Sequence, residues 1–266
     1  MSQRVVPYFG KAVNLADYDP RYDSGLKKAD GEEQLDELRT RLNELQDMLY
    51  ADRRFALLVL LQAIDTGGKD GTIKSVFREV GPLGCAVANF GVPTEEELAH
   101  DYLWRYHLKA PERGHVVIFN RSYYESVLVE RVKEIAPKKV WEQRYDEINT
   151  FEAYLAKQDT VIMKFYLHIS KDEQRERLQE RVDNPKKRWK FKAGDLAERK
   201  RWDDYQFAFE DMISRCNTET APWHIVPADR NWYRDLVVAK ALVERLESLD
   251  LHYPAAEPGI EGTTVE

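Results

Sequence analysis

Continuous apolar runs alternate with helical patterns along the chain, and this alternation predicts the architecture. The clearest run, residues 55–61, is typical of a strand buried on both faces of a parallel sheet. Further strands are predicted at 85–90, 116–119, 160–169 and 223–227. Five strands that alternate with helices indicate a parallel sheet covered on both faces, which is a three-layer α/β/α fold.

The predicted helices rest on apolar spacings of three and four residues and on capping residues. From Gly31 onward, leucines form a narrow seam that packs either on the chain's own core or on a second copy. Ser170 and Glu173 have the spacing of a capping box. A helix also follows the first strand and ends at Gly81. Other helices are predicted at about 94–106, 122–133, 138–157, 195–216 and 232–249.

No repeat or linker divides the chain, which predicts one domain over residues 1–266. Its expected parts are an N-terminal arm and helix (1–54), a core (55–170 and 217–253) and a charged helical lid at about 171–216.

Composition narrows the function classes. The 266 residues are 43% hydrophobic and 33% charged, which suits a globular protein with a core. The net charge of −7 argues against a protein that coats nucleic acid, so any polyanion must meet a local basic patch. No apolar run is long enough to span a membrane, and the start lacks a secretory signal. Only Cys85 and Cys216 are present, and we expect a reduced, cytoplasmic protein without a membrane partner.

A glycine-rich turn directly follows the first strand. It resembles a phosphate-binding loop, although Ala63 replaces the first glycine and Asp70 replaces the hydroxyl residue. Such a turn directs backbone N–H groups at an anion, and Lys69 adds a full charge. Asp65 can hold a metal ion. The alternative is a plain glycine turn with an exposed lysine. The other predicted loop residues are Thr66, Gly67, Gly68, Asp70, Gly71 and Thr72.

Polar residues also follow the third predicted strand. Ligands of nucleotide-binding sheets lie beyond the carboxyl ends of the strands, where Asn120 and Arg121 fall here. An arginine grips phosphate with two parallel hydrogen bonds, and the Asn120 amide can bond phosphate or metal-bound water. Asn120 and Ser122 can also simply cap the next helix.

A basic segment lies inside the predicted lid. Five of the seven residues from 186 to 192 are Lys or Arg. Arg177 and Arg181 share one face of the preceding helix. A charge run is often just a solvated surface, but Trp189 and Phe191 indicate an anchored segment.

A phosphate loop, a strand-end arginine and a basic lid together indicate phosphoryl transfer, which depends on alignment and on neutralising charge. Two rivals remain open. One is an ATP-dependent nucleoside monophosphate kinase of the thymidylate-kinase type, whose lid needs only one or two arginines. The other is a non-catalytic phosphate-binding or RNA-binding module, against which the carboxylate of Asp65 argues.

The chain resembles the second polyphosphate-kinase family, whose members have a P-loop kinase-like fold. The likeness runs from about residue 4 to 254. The matching stretches are LQAIDTGGKDGT at 61–72, FNRSYYE at 119–125, LHISKDEQR at 167–175, DNPKKRWKF at 183–191 and APWHIVPA at 221–228.

The resemblance implies phosphoryl transfer between inorganic polyphosphate and AMP or ADP, with magnesium, or manganese in its place. Adenine is the expected base and guanine a second. Asn120 together with Glu125 resembles the class III members, which phosphorylate both AMP and ADP, whereas Ser126 departs from that pattern. We also expect a homo-oligomer, a dimer or a tetramer.

The resemblance also implies a role for each matching site residue. Asp65 corresponds to the metal-binding aspartate, Lys69 to the phosphate-binding lysine, and Asn120 and Arg121 to the second catalytic motif. Glu125 corresponds to a residue near the nucleotide. The expected polyphosphate-binding residues are Arg177, Arg181, Lys186, Lys187 and Lys190.

Overall fold

Five parallel strands form the centre of the computed structural model, which describes residues 4–260 and 262–264. Their spatial order is β2-β3-β1-β4-β5. The strands are β1 (Ala56–Gln62), β2 (Cys85–Asn89), β3 (Val116–Asn120), β4 (Thr160–His168) and β5 (Trp223–Pro227). The predicted three-layer α/β/α fold with a five-stranded parallel sheet is therefore confirmed.

Helices connect the strands and cover the sheet. Helix α1 (Lys28–Asp52) precedes β1, and α2 (Lys69–Val76) follows it. The others are α3 (Glu95–Leu98), α4 (Trp104–His107), α5 (Val129–Val132), α6 (Lys138–Ala156), α7 (Lys171–Asp183), α8 (Gly194–Lys200), α9 (Trp202–Cys216) and α10 (Asn231–Glu247). The helices α7, α8 and α9 occupy the segment that the sequence predicts to be a lid.

The two central strands explain why their sequences are almost continuously apolar. Every residue of β1 and of β4 is buried, since helices cover both faces of the sheet. In the register of β1 with β3, Leu61 lies opposite Asn120. The loops that leave these two strands therefore begin side by side at one edge of the sheet.

The leucine seam of α1 packs within the chain itself. Leu35, Leu42, Leu45 and Leu49 are buried, and α1 lies against α10. This settles the two interpretations of the seam in favour of the chain's own core.

Several predicted helices are interrupted in the structure. The predicted helix 94–106 is wrong as one element, because Asp101 Oδ1 accepts from the backbone N–H groups of Leu103 and Trp104 and starts a second helix. The predicted helix 195–216 breaks at Arg201, whose guanidinium reaches the carbonyl of Val132. The predicted helix 122–133 is a 3-10 turn at Tyr123–Ser126 followed by α5.

Two further details differ from the sequence prediction. The helix after the glycine turn ends at Val76, earlier than the predicted Gly81. The capping box of α7 is only half formed. Ser170 accepts from the Glu173 N–H, but the Glu173 carboxylate pairs with Arg177 instead of returning to the cap. In residues 4–260 and 262–264, none of the helices combines the length and the apolar character that a membrane crossing requires.

Candidate active site

A cavity of about 590 Å³ lies beyond the carboxyl ends of the strands, between the glycine turn and the start of α10. Most of the site residues predicted from the sequence border it. They are Asp65, Thr66, Gly67, Gly68, Lys69, Asp70, Gly71, Asn120, Arg121, Arg177, Arg181, Lys187 and Lys190. Parallel strands deliver these loops to one edge, which is where ligands of α/β proteins bind.

The glycine turn links β1 to α2 through two residues with left-handed backbone angles. Thr66 has φ 66° and Gly68 has φ 101°. A side chain at Gly68 would meet the guanidinium of Arg234 in addition to adopting an unfavourable φ. The hydroxyl of Thr66 is buried and has no hydrogen-bond partner in the part of the chain that the structure describes. The turn is thus a strained concave surface with an unpaired polar atom at its wall.

Lys69 begins α2 and folds back over the turn. Its Nζ donates to the carbonyl oxygen of Ala63 at 2.9 Å. Burial, together with the positive charge of Arg121, lowers the pKa of Lys69 to about 8. The ammonium group is therefore held in place at the cavity, where the charges of Asp65, Glu125 and Asp70 only partly oppose the lowering of its pKa.

Arg121 connects the two strand ends through ion pairs with Asp65 at 3.1 Å and with Glu125 at 3.6 Å. It has φ 67°, an unusual conformation for arginine. Burial raises the pKa of Glu125, although the charges of Arg121 and Lys69 oppose this shift. With its amide nitrogen facing the carboxylate, Gln62 donates to Glu125 Oε1 at 3.0 Å. These contacts hold the guanidinium at the wall of the cavity.

Asn120 links the third strand to the glycine turn. Its Nδ2 donates to Asp70 Oδ1 and to Asn89 Oδ1, both at 2.9 Å. Burial alone would raise the pKa of Asp70, but the hydrogen bond from Asn120 and the charge of Lys190 outweigh it and lower the pKa. Lys190 Nζ lies 3.5 Å from Asp70 Oδ2, so the basic segment reaches across the cavity to the turn.

Arg177 fixes α7 to the glycine turn. Its guanidinium donates to the carbonyl oxygens of Thr66 at 3.0 Å and of Ala228 at 2.6 Å, and its Nε donates to Glu173. These bonds occupy most of its N–H groups, so Arg177 also braces the site. Arg181 lies one helical turn after Arg177, and its Nη1 is 3.6 Å from Asp195 Oδ2.

Three predicted site residues do not border this cavity. Thr72 is fully buried and its hydroxyl donates to the Gly68 carbonyl. Glu125 lies behind Arg121 and lines a smaller cavity of about 90 Å³ next to Asp65. Lys186 lies outside both linings.

The structure adds Arg234, which sequence reasoning missed. It lies in the first turn of α10, is 2% exposed, and packs against Gly68 and Gly71. Its Nη1 donates to Asn231 at 2.6 Å and its Nη2 lies 2.6 Å from Asp235. The only signal in the sequence is an arginine shortly after the fifth strand, because its approach to the turn depends on how α10 packs.

The carboxylates at the cavity suit a magnesium ion held partly by substrate. Asp65, Asp70 and Glu180 border the cavity, but the described residues contain no group of three or more Asp, Glu, His or Cys side chains placed to bind one metal ion. Mg²⁺ usually binds one or two carboxylates together with water and substrate phosphates. The donor set therefore fits that mode and does not form an all-protein metal cage.

Comparisons with known proteins show the family of the chain. A family model described as Polyphosphate kinase 2 matches residues 25–253. The AMP/ADP-polyphosphate phosphotransferase of Meiothermus ruber is 56% identical over 229 residues, covering 86% of each chain. The ADP-polyphosphate phosphotransferase of Rhodopseudomonas palustris is 43% identical over 94% of this chain and 91% of its own.

A solved structure shows the same fold over nearly the full length. The crystal structure of Polyphosphate Kinase 2 from Arthrobacter aurescens TC1 superposes with a TM-score of 0.89 and 41% sequence identity, covering 96% of this chain and 95% of that one. With a family match over most of its length, the chain belongs to the polyphosphate kinase 2 family.

Proposed function

We propose that this protein transfers phosphoryl groups between inorganic polyphosphate and AMP or ADP, which yields ADP and ATP. The observation that carries the proposal is the charge of the cavity. Seven cationic side chains border it against three carboxylates. They are Lys69, Arg121, Arg177, Arg181, Lys187, Lys190 and Arg234. A row of cations of this length suits a polyanionic chain, since it can hold many phosphates in any register.

The names of two relatives support AMP and ADP as acceptors. The Meiothermus ruber relative is called an AMP/ADP-polyphosphate phosphotransferase and the Rhodopseudomonas palustris relative an ADP-polyphosphate phosphotransferase. We extend these acceptors to this chain, with adenine as the base and guanine as a second candidate.

In the proposed mechanism the protein aligns donor and acceptor and neutralises charge. The glycine turn and Lys69 hold the phosphoryl group that moves, and Arg121 stabilises the charge that spreads over its oxygens. Asn120 orients the turn through Asp70. Asp65, which is paired with Arg121 in this structure, would hold magnesium. Bound magnesium would supply additional positive charge to the phosphate oxygens.

The segment 171–216 is proposed to act as the lid and polyphosphate channel. Lys187 and Lys190 present their charges to the cavity, and the contact of Lys190 with Asp70 bridges the channel entrance to the turn. Glu125, behind Arg121, is proposed to act on the nucleotide side of the site. We further propose a cytoplasmic enzyme that assembles as a dimer or a tetramer.

One assay tests the proposal. Purified protein with magnesium, long-chain polyphosphate and AMP or ADP is expected to produce ADP or ATP. The matched reaction replaces polyphosphate by ATP, with AMP as the acceptor. Transfer from ATP without transfer from polyphosphate would contradict the proposal and favour the nucleoside monophosphate kinase.

A further inference from the structure

A buried polar network lies beneath the turn that carries Arg121. Glu152 on α6 and Lys164 on β4 form an ion pair of 2.7 Å, and their side chains are 1% and 0% exposed. Tyr123 and Tyr124, also fully buried, both donate to Glu152 Oε1 at 2.8 Å. These two tyrosines follow Arg121 almost directly in the chain.

The network satisfies its charged members completely. Lys164 Nζ donates to Glu152 Oε2, to the Tyr124 hydroxyl at 2.9 Å and to the carbonyl oxygen of Cys216 at 2.7 Å. All three ammonium protons are therefore used. Cys216 ends α9, so one lysine holds both the turn after β3 and the end of the predicted lid.

Such a pair is a poor device for stability alone. Removing two charges from water costs much of what their attraction gains, and apolar residues of the same volume usually serve a core as well. The location of this buried ion pair, beneath the turn after β3, therefore points to a role other than stability. The pair binds the hydroxyl groups of Tyr123 and Tyr124, the two large side chains of the turn that are buried in the core.

The turn needs such an anchor, because Arg121 has φ 67° and must place its guanidinium between two carboxylates. A misplacement of about 1 Å at a reacting group can cost on the order of 100-fold in rate. We propose that Glu152 and Lys164 are positioning residues, which act through Tyr123 and Tyr124 to set the place of Arg121. This inference rests on the proposed phosphoryl transfer.

The test removes one hydroxyl from the network and keeps the fold. Tyr124→Phe deletes the hydroxyl that donates to Glu152 and accepts from Lys164. Tyr145→Phe is the matched control, since Tyr145 is equally buried but its hydroxyl contacts Arg131 instead. Both variants are measured for thermal stability and for kcat and KM with polyphosphate and ADP. We expect both variants to be folded at the assay temperature, with a lower melting temperature for Tyr124→Phe because Lys164 loses one acceptor. The kcat should be at least tenfold lower for Tyr124→Phe alone, and KM for polyphosphate should stay within about twofold of the wild type.

A double-mutant cycle separates positioning from general loosening. If Tyr124 acts through Arg121, Tyr124→Phe should lower kcat no further in an Arg121→Ala background. Equal kcat losses in Tyr124→Phe and Tyr145→Phe, or additive effects with Arg121→Ala, would overturn the inference. These outcomes are distinct from failure of the proposed function, in which the wild type itself would not transfer phosphate from polyphosphate.

Discussion

Lys69 donates a hydrogen bond across its own loop to the carbonyl oxygen of Ala63 at 2.9 Å. This contact keeps the ammonium group over the glycine turn. Because burial and Arg121 lower the pKa of Lys69 to about 8, the charge that should hold phosphate titrates close to neutral pH. The contact thus links the shape of the loop to a measurable pH dependence.

Polyphosphate binding should weaken as the pH rises through about 8, since only protonated Lys69 attracts the anion. An ordinary lysine remains charged to about pH 10. Lys69→Arg should bind polyphosphate more weakly than the wild type, because the geometry changes. Its affinity should not fall as the pH rises through about 8, since a guanidinium stays charged. Calorimetric titration with polyphosphate between pH 6.5 and 9.5 measures both. The same fall in affinity near pH 8 in Lys69→Arg would show that another group titrates.

Gly68→Ala should reduce transfer by more than 100-fold and lower the free energy of unfolding by about 1–3 kcal/mol. The residue has φ 101°, and an added Cβ would displace the guanidinium of Arg234. Gly81→Ala is the control, because its Cβ would meet nothing closer than 4.0 Å. Kinetics and urea unfolding of both variants check this. A Gly68→Ala variant as active as Gly81→Ala would mean that the turn does not shape the site.

The double variant Lys187→Glu/Lys190→Glu should raise KM for polyphosphate at least tenfold and KM for ADP much less. Both lysines border the cavity, and the change replaces two attractions by two repulsions. Lys192→Glu/Lys200→Glu makes the same charge change on exposed residues outside the cavity lining. Steady-state kinetics at two salt concentrations compare them. Equal effects of the two double variants on polyphosphate would show that only net charge matters.

Asn120→Asp should destabilise the protein at pH 8 by about 1–2 kcal/mol and by less at pH 5. The substitution removes the donor to Asp70 and places two carboxylates about 3 Å apart. One of them must then have a raised pKa in the folded state. The loss of stability that the two charges cause is present above that pKa. It disappears as the pH falls and the group is protonated.

The matched control for this change is Asn120→Ala, which loses the same hydrogen bonds without adding charge. The decrease in its free energy of unfolding, measured with urea, should be the same at pH 5 and pH 8. The same pH dependence in Asn120→Asp and Asn120→Ala would show that repulsion between position 120 and Asp70 does not cause the destabilisation.

The sheet could be predicted from the sequence because its signals are local. The run around Leu58 is apolar on both faces, and such a run has few alternatives to a central parallel strand. The glycine turn and Arg121 were predictable for the same reason, since each directly follows a strand. The cap at Asp101 is also a local signal, but the prediction of one helix over 94–106 overlooked it.

Other features depend on contacts between distant parts of the chain. The break at Arg201 accompanies a bond to Val132, 69 residues away in sequence. Arg234 reaches Gly68 only because α10 packs beside the turn. Likewise, the sequence gives no sign that Lys164, inside a buried strand, meets Glu152. Tertiary packing decides these relationships, and no spacing along the chain encodes them.

In the proposed complex, a polyphosphate chain lies with one end over the glycine turn and runs along the basic segment. A crystal structure with magnesium and a methylene-bridged polyphosphate analogue would show this arrangement. We expect a phosphate within hydrogen-bond distance of Lys69 Nζ and further phosphates next to Lys187 and Lys190. An analogue bound elsewhere, with the turn empty of phosphate, would contradict it.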